Sequence, residues 1–180
     1  MTYQESGMDF LPLFNSSKLQ AFYIEKSPLY NNKNVKSQAV KSVEFLASHG
    51  EKFYFIECKE RNYEIVNIEA LMDDLKLNPQ DLYEKLHHSL DLIMARKMGI
   101  EKHLNHVFEK DLGDANVLDV DFSKMNMFFY LIVKGQSFDK ETCLKIREVL
   151  NKKLLPLLKI WNVRIDVIPE EKAREWKLIN

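Results

Sequence analysis

The stretch that decides the fold is Val43-Glu44-Phe45-Leu46-Ala47-Ser48-His49-Gly50-Glu51-Lys52-Phe53-Tyr54-Phe55-Ile56-Glu57-Cys58-Lys59. Two runs of aromatic and aliphatic residues, Val43 to Ala47 and Phe53 to Ile56, flank His49-Gly50-Glu51-Lys52. This is a β-hairpin signature, with Gly50 free to take the positive φ of a primed turn. A turn centred on Gly50-Glu51 pairs His49 with Lys52, Leu46 with Phe55 and Glu44 with Glu57. A loop one residue shorter or longer would slip the register and send one of the two acids to the other face.

In this register the two carboxylates share a face, with Cβ atoms roughly 4.5–5.5 Å apart. Like charges directly opposite destabilise a sheet, so an offsetting cation is expected. Mg²⁺ suits the position, because it is held by one or two carboxylates together with substrate phosphate oxygens. Lys59 lies two residues beyond Glu57, and strand periodicity puts it on the same face. There its ammonium can orient a water or stabilise charge on a phosphate. Phe53, Phe55 and Leu46 share that face, as expected for a charged cluster at the rim of an apolar core. The plainer reading is a cross-strand Glu–Lys pair on a solvent-facing sheet.

Glu44 on one strand and Glu57-Cys58-Lys59 on the next resemble the PD-(D/E)xK nuclease superfamily, the restriction-endonuclease-like fold. The resemblance spans Val35 to Val133 in outline and rests on three motif residues. It implies a mixed central sheet flanked by helices with an αβββαβ core. Carried over residue by residue, it makes Glu44 and Glu57 ligands of Mg²⁺ or Mn²⁺ and Lys59 the residue that assists the attacking water. The expected activity is metal-dependent hydrolysis of phosphodiester bonds in DNA, or in RNA. Glu25 could supply a further metal carboxylate, as an upstream acid does in some members, but an ordinary surface glutamate is the better reading. Two departures stand out: Glu44 replaces the usual Asp, and Val43 stands where the family has proline. They open the alternative of a catalytically inactive nuclease-fold protein that binds nucleic acid or a protein partner.

Working outward, Tyr63 to Ile68 reads as a third strand. Asn78 as N-cap, Pro79 at the first helical position and Asp81 in the first turn announce a helix. Leu82, Leu86, Leu90 and Ile93 form its apolar stripe, and Gly99 ends it. On it, Lys85 and Ser89 are four residues apart and placed to reach a phosphate, while His88 points to solvent. Residues 100 to 110 continue as a second helix. His103 and His106 there are spaced like a metal pair, but no third ligand is evident and a surface helix is the better reading. Asp111 to Asp121 reads as a solvated acidic loop.

Met127 to Val133 has the look of a strand buried on both faces. A helix capped near Asp139 follows, with Leu144, Val149, Leu150 and Leu154 along it, and Pro156 kinks or ends it. Val163 to Ile168 alternates as a last strand that Pro169 stops. Trp161 and Trp176 are expected to pack the C-terminal elements. Residues 1–34 are the least readable part: Leu11 to Ile24 carries both helical and strand spacing. The order of three strands, helix, strand, helix, strand points to a single α/β domain over residues 1–180.

The 180 residues are 46% hydrophobic and 29% charged, with five Gly and five Pro, an ordinary globular composition. Net charge is -1, from 26 basic and 27 acidic residues. That argues against non-specific nucleic-acid packaging, which needs a basic excess. No apolar run suits a bilayer and the N-terminus lacks a leader pattern. Cys58 and Cys143 make neither a metal spacing nor a disulfide framework. Cys58 points away from Glu57, with Ile56, into core packing. A cytoplasmic protein without membrane contact is expected, and a homodimer is left open.

Overall fold

The computed structural model describes residues 3–31, 38–60, 72, 78–99, 112–135 and 138–180. The hairpin forms as the sequence dictates. Gly50 takes φ +56, and the chain reverses between β4 (Phe45–His49) and β5 (Lys52–Glu60). The register pairs Phe45 with Ile56, Leu46 with Phe55 and His49 with Lys52. Glu44 sits one residue before β4, opposite Glu57 when that register is continued.

A third antiparallel strand precedes the hairpin. β3 (Gln20–Tyr23) pairs with β4, joining Phe22 to Leu46 and Tyr23 to Phe45. The strand expected over Tyr63 to Ile68, the helix expected over residues 100 to 110, and His103 and His106 lie outside the described residues. The meander is therefore β3, β4 and β5, with its first strand supplied by the N-terminal part of the chain. That part also carries a short hairpin, β1 (Gln4–Glu5) with β2 (Met8–Asp9), and two single-turn helices, α1 (Leu11–Phe14) and α2 (Pro28–Asn31). Met8, Phe10, Leu13, Phe22, Tyr23 and Ile24 are all buried in the same core as the hairpin.

Asn78 caps α3 (Pro79–Lys97), its side chain accepting the Gln80 N–H. Leu82, Leu86, Leu90 and Ile93 are buried as the stripe predicts. The chain then returns to β6 (Asn126–Lys134), which lies parallel to β5 and places Glu57 beside Leu131. A second crossover runs through α4 (Lys140–Lys153) and α5 (Leu155–Ile160), with Pro156 in the first turn of the latter, to β7 (Val163–Pro169), parallel to β6. A last helix, α6 (Glu170–Glu175), follows. The five-stranded order is β3-β4-β5-β6-β7, an antiparallel meander continued by two parallel strands. It is a mixed α/β sheet with helical crossovers.

Some local expectations change. On α4 the buried residues are Cys143, Ile146 and Leu150, while Leu144 is exposed; the stripe is set by contact with β7, one position away from Leu144. Over residues 112–121, Asp119 and Asp121 are exposed as the acidic-loop reading expects, but the chain is folded into turns. Asp114 and Asp121 cap 3-10 turns at Ala115–Asp119 and Phe122–Lys124, and Val117 and Leu118 are buried. Asp119 pairs with Arg96. In β6, Phe128 and Tyr130 are half-buried, so only its second half is enclosed on both faces. Trp161 packs against the core, whereas Trp176 is 43% exposed and rests on Tyr130. Among the described residues no helix is long and apolar enough to cross a membrane.

Candidate functional site

Strand periodicity divides β5. Phe53, Phe55, Glu57 and Lys59 face one side of the sheet, and Tyr54, Ile56 and Cys58 face the other. Phe53 and Phe55 are fully buried, so Glu57 extends an apolar row toward the carboxyl ends of the parallel strands. That is the end at which open α/β sheets bind ligands. Glu57 is itself completely buried, and Glu44 is 6% exposed.

The chain leading to Glu44 is tied to α3 at three points. Lys41 pairs with Asp81 and Glu84, the Lys41 N–H donates to His88 Nδ1 at 3.1 Å, and the Val43 N–H donates to Ser89 Oγ at 3.0 Å. His88 thus anchors main chain instead of pointing to solvent. Ser89 also donates to the Lys85 carbonyl at 2.7 Å. With both its functions engaged, Ser89 positions the helix against the strand and is not a free phosphate contact.

These ties bring the charged groups together. Glu44 Oε2 accepts the Cys58 N–H at 2.8 Å. Lys59 Nζ lies 3.0 Å from Glu57 Oε1, as the E-x-K spacing requires. Lys85 Nζ lies 2.6 Å from the same oxygen and 3.7 Å from Glu44 Oε1. Lys85 therefore reaches the site, but it contacts the carboxylates and not an open phosphate position. Spacing gives its side of the helix: Leu82, Lys85, Ser89 and Leu92 follow one another at steps of three and four, which puts all four on one side.

Burial shapes the charge state. Desolvation, and next the charge of Glu57, push the Glu44 carboxyl well above its usual range, and a hydrogen bond to Glu57 favours its protonated form. Burial alone would lower Lys85, but Glu57 and Glu44 outweigh it and hold its ammonium above the ordinary lysine range. Burial also raises the Cys58 thiol, with Glu44 and Glu57 adding to the effect. A thiolate is disfavoured there, and Cys58 contributes its N–H rather than its sulfur. Glu25 is raised mainly by burial, and it feels the charges of Lys85, Glu5 and Glu57. Its own N–H bonds to the Glu44 carbonyl at 3.4 Å.

One atom stands out. With both acids ionised, Glu57 Oε2 is buried with no hydrogen-bond partner among the described residues. An orphaned anionic oxygen is costly unless a cation or proton meets it. Together with Glu44 Oε1 it makes a hard, all-oxygen donor pair, the chemistry that Mg²⁺ and Mn²⁺ take. Among the described residues no three His, Cys, Asp or Glu side chains converge as a cage. Glu25 is not drawn into the pair, so a cation here would have two protein carboxylates and complete its shell from water or substrate. The residues fit a divalent ion of that kind.

Comparison with family models, with curated proteins and with solved structures returned no match.

Proposed function

We propose that this protein is a metal-dependent phosphodiesterase acting on nucleic acid, a nuclease of the PD-(D/E)xK type, with DNA the expected substrate and RNA the alternative. The observation that carries the reading is the buried pair Glu44 and Glu57 at the end of the β4–β5 hairpin, with the partly exposed Lys59 ammonium on Glu57 Oε1. The surrounding order supports it: an antiparallel meander, a helix, and a strand parallel to the third run in the sequence of the αβββαβ core.

Glu44 and Glu57 would hold Mg²⁺ or Mn²⁺, which supplies Lewis-acid polarisation of the scissile phosphate and a more acidic water. Lys59 is 22% exposed at its side chain and still bound to Glu57, which suits a group that must meet both water and site. Its ammonium orients the attacking water and stabilises charge on the phosphate. The Cys58 N–H fixes Glu44 Oε2, leaving Oε1 directed at the site. Phe53 and Phe55, fully buried on the same face of β5, make the apolar row that precedes Glu57.

A second reading is favoured by one contact. Lys85 lies 2.6 Å from Glu57 and 3.7 Å from Glu44, and together with Lys59 it balances the pair without a metal. That arrangement suits a nuclease-fold protein that has given up catalysis and binds nucleic acid or another protein. The deciding experiment is Mn²⁺ calorimetry on wild type and Glu57→Gln, with cleavage of single- and double-stranded DNA and RNA assayed on the same samples. Binding and cleavage that vanish together in the variant are the expected result. Binding by wild type without cleavage of any substrate defeats the catalytic reading, and absence of binding even with nucleic acid present defeats the metal reading and selects the second.

A further inference from the structure

A divalent ion drawn to Glu57 Oε2 and Glu44 Oε1 enters the space beside the Lys85 ammonium, and two cations that close repel each other. Lys85 Nζ lies between Glu57 Oε1, at 2.6 Å, and Glu44 Oε1, at 3.7 Å, and its side chain is 14% exposed. The helix beneath it is fixed, because Ser89 ties the Lys85 carbonyl and the Val43 N–H. The side chain is not: four rotatable bonds separate the fixed backbone from the charge. Lys59 already serves Glu57 Oε1 from the strand side, so Lys85 is the second cation on one oxygen. The arrangement is more than local charge balance requires for Glu57 alone. It is what the two acids need once both are ionised and no metal is bound, since an uncompensated buried charge is strongly destabilising.

A second partner for Lys85 is close by. Glu25, half-buried, is placed beside Glu44 by its N–H on the Glu44 carbonyl at 3.4 Å, and Lys85 is among the charges it feels.

We propose that Lys85 is a built-in counter-cation that keeps the metal-free site closed: an incoming divalent ion must displace its ammonium, which then moves to Glu25. This rests on the metal reading of the same site and adds a regulatory consequence. The Lys85–carboxylate contact sets the metal concentration at which the site loads. Glu25 is then the acid that receives the displaced lysine and not a metal ligand.

The test uses the full chain with Mn²⁺ alone as probe, in Lys85→Met, Lys85→Arg and Glu25→Gln. The Met side chain keeps the apolar stem without the charge, and the Arg fork grips carboxylates more firmly. Calorimetry should show Lys85→Met binding Mn²⁺ at least tenfold more tightly than wild type, with Lys85→Arg and Glu25→Gln binding more weakly. In chelator, Lys85→Met should unfold at a lower temperature than wild type, and Mn²⁺ should restore it. Should Lys85→Met fail to fold, the weakened binding of Lys85→Arg and Glu25→Gln carries the test. Mn²⁺ binding by wild type with affinity unchanged across the variants overturns the inference and leaves the metal reading intact. No Mn²⁺ binding by folded wild type or any folded variant overturns both.

Discussion

The Cys58 N–H donates to Glu44 Oε2 at 2.8 Å, bonding main chain of β5 to a side chain that lies just before β4. The β4–β5 register ends at Phe45 and Ile56, and beyond it the carboxylate does what the next rung of the ladder would have done. This gives a reason for Glu in a position where the resembling family has Asp. A side chain one methylene shorter would not span the same gap.

Glu44→Asp should therefore strand the buried Cys58 N–H and cost about 1–3 kcal/mol in denaturant unfolding. Glu44→Gln keeps a carbonyl oxygen at the same reach and should retain the hydrogen bond. Amide exchange at Cys58 distinguishes the two: fast in the Asp variant and protected in the Gln variant. Equal protection in both would show that Glu44 length is irrelevant to the strand.

The hairpin was legible because a two-residue turn at Gly50 leaves one register, and that register alone puts Glu44 opposite Glu57. The α3 helix was legible for a similarly local reason, its Asn78-Pro79 start and Gly99 stop. β3 was not. Ala21, Phe22, Tyr23 and Ile24 are all buried, so the alternation that marks a half-exposed strand is missing. The pairing that makes it a strand is with residues more than twenty positions away. The contact of Lys85 with Glu57 depends on how a crossover helix docks on the sheet, which no local pattern states. Only the polar pair Lys85 and Ser89 on the buried side of an apolar helix hinted at it.

Ser89→Ala removes the acceptor of the Val43 N–H while Val43 stays fully buried. Leaving that donor unmet should cost about 1–3 kcal/mol. Because Val43 precedes Glu44, Mn²⁺ affinity should fall with stability. Ser89→Thr, which retains the hydroxyl, should recover most of both. A Ser89→Ala protein with wild-type stability would mean that water or another group takes over the bond.

Gly113 marks where the chain after α3 rejoins the sheet. It bridges to Phe22 with φ +98, and the next residue donates its N–H to the Ala21 carbonyl. A Cβ at Gly113 would lie 2.2 Å from Ala21 O and 2.7 Å from Phe14 Cε1. Backbone strain and overpacking together predict a loss on the order of 3 kcal/mol or more for Gly113→Ala. Gly50→Ala is the control, since its φ is also positive but a Cβ there meets nothing within 4 Å. Its cost should stay near 1 kcal/mol. Comparable losses in the two variants would contradict the close approach at Ala21.

The charge state of the carboxylate pair should also be visible in stability. The Glu44 carboxyl is held well above its ordinary value of 4.5 by burial and by Glu57. A raised folded-state pKa means that the folded chain binds a proton the unfolded chain has released. Its contribution is complete below the unfolded pKa and disappears as pH rises through the folded one. In chelator, unfolding free energy should accordingly decline from about pH 4.5 upward and level off once Glu44 has ionised. Glu44→Gln cannot ionise there and should flatten the decline, leaving the smaller slope of the same sign from Glu25, which burial also raises. Mn²⁺ should reverse the trend in wild type, because an ion that binds the ionised acids stabilises the fold more as pH rises. Thermal or denaturant unfolding across pH 4.5 to 8.5, with and without Mn²⁺, measures all three curves. Identical slopes in wild type and Glu44→Gln without metal would place the proton elsewhere than on Glu44.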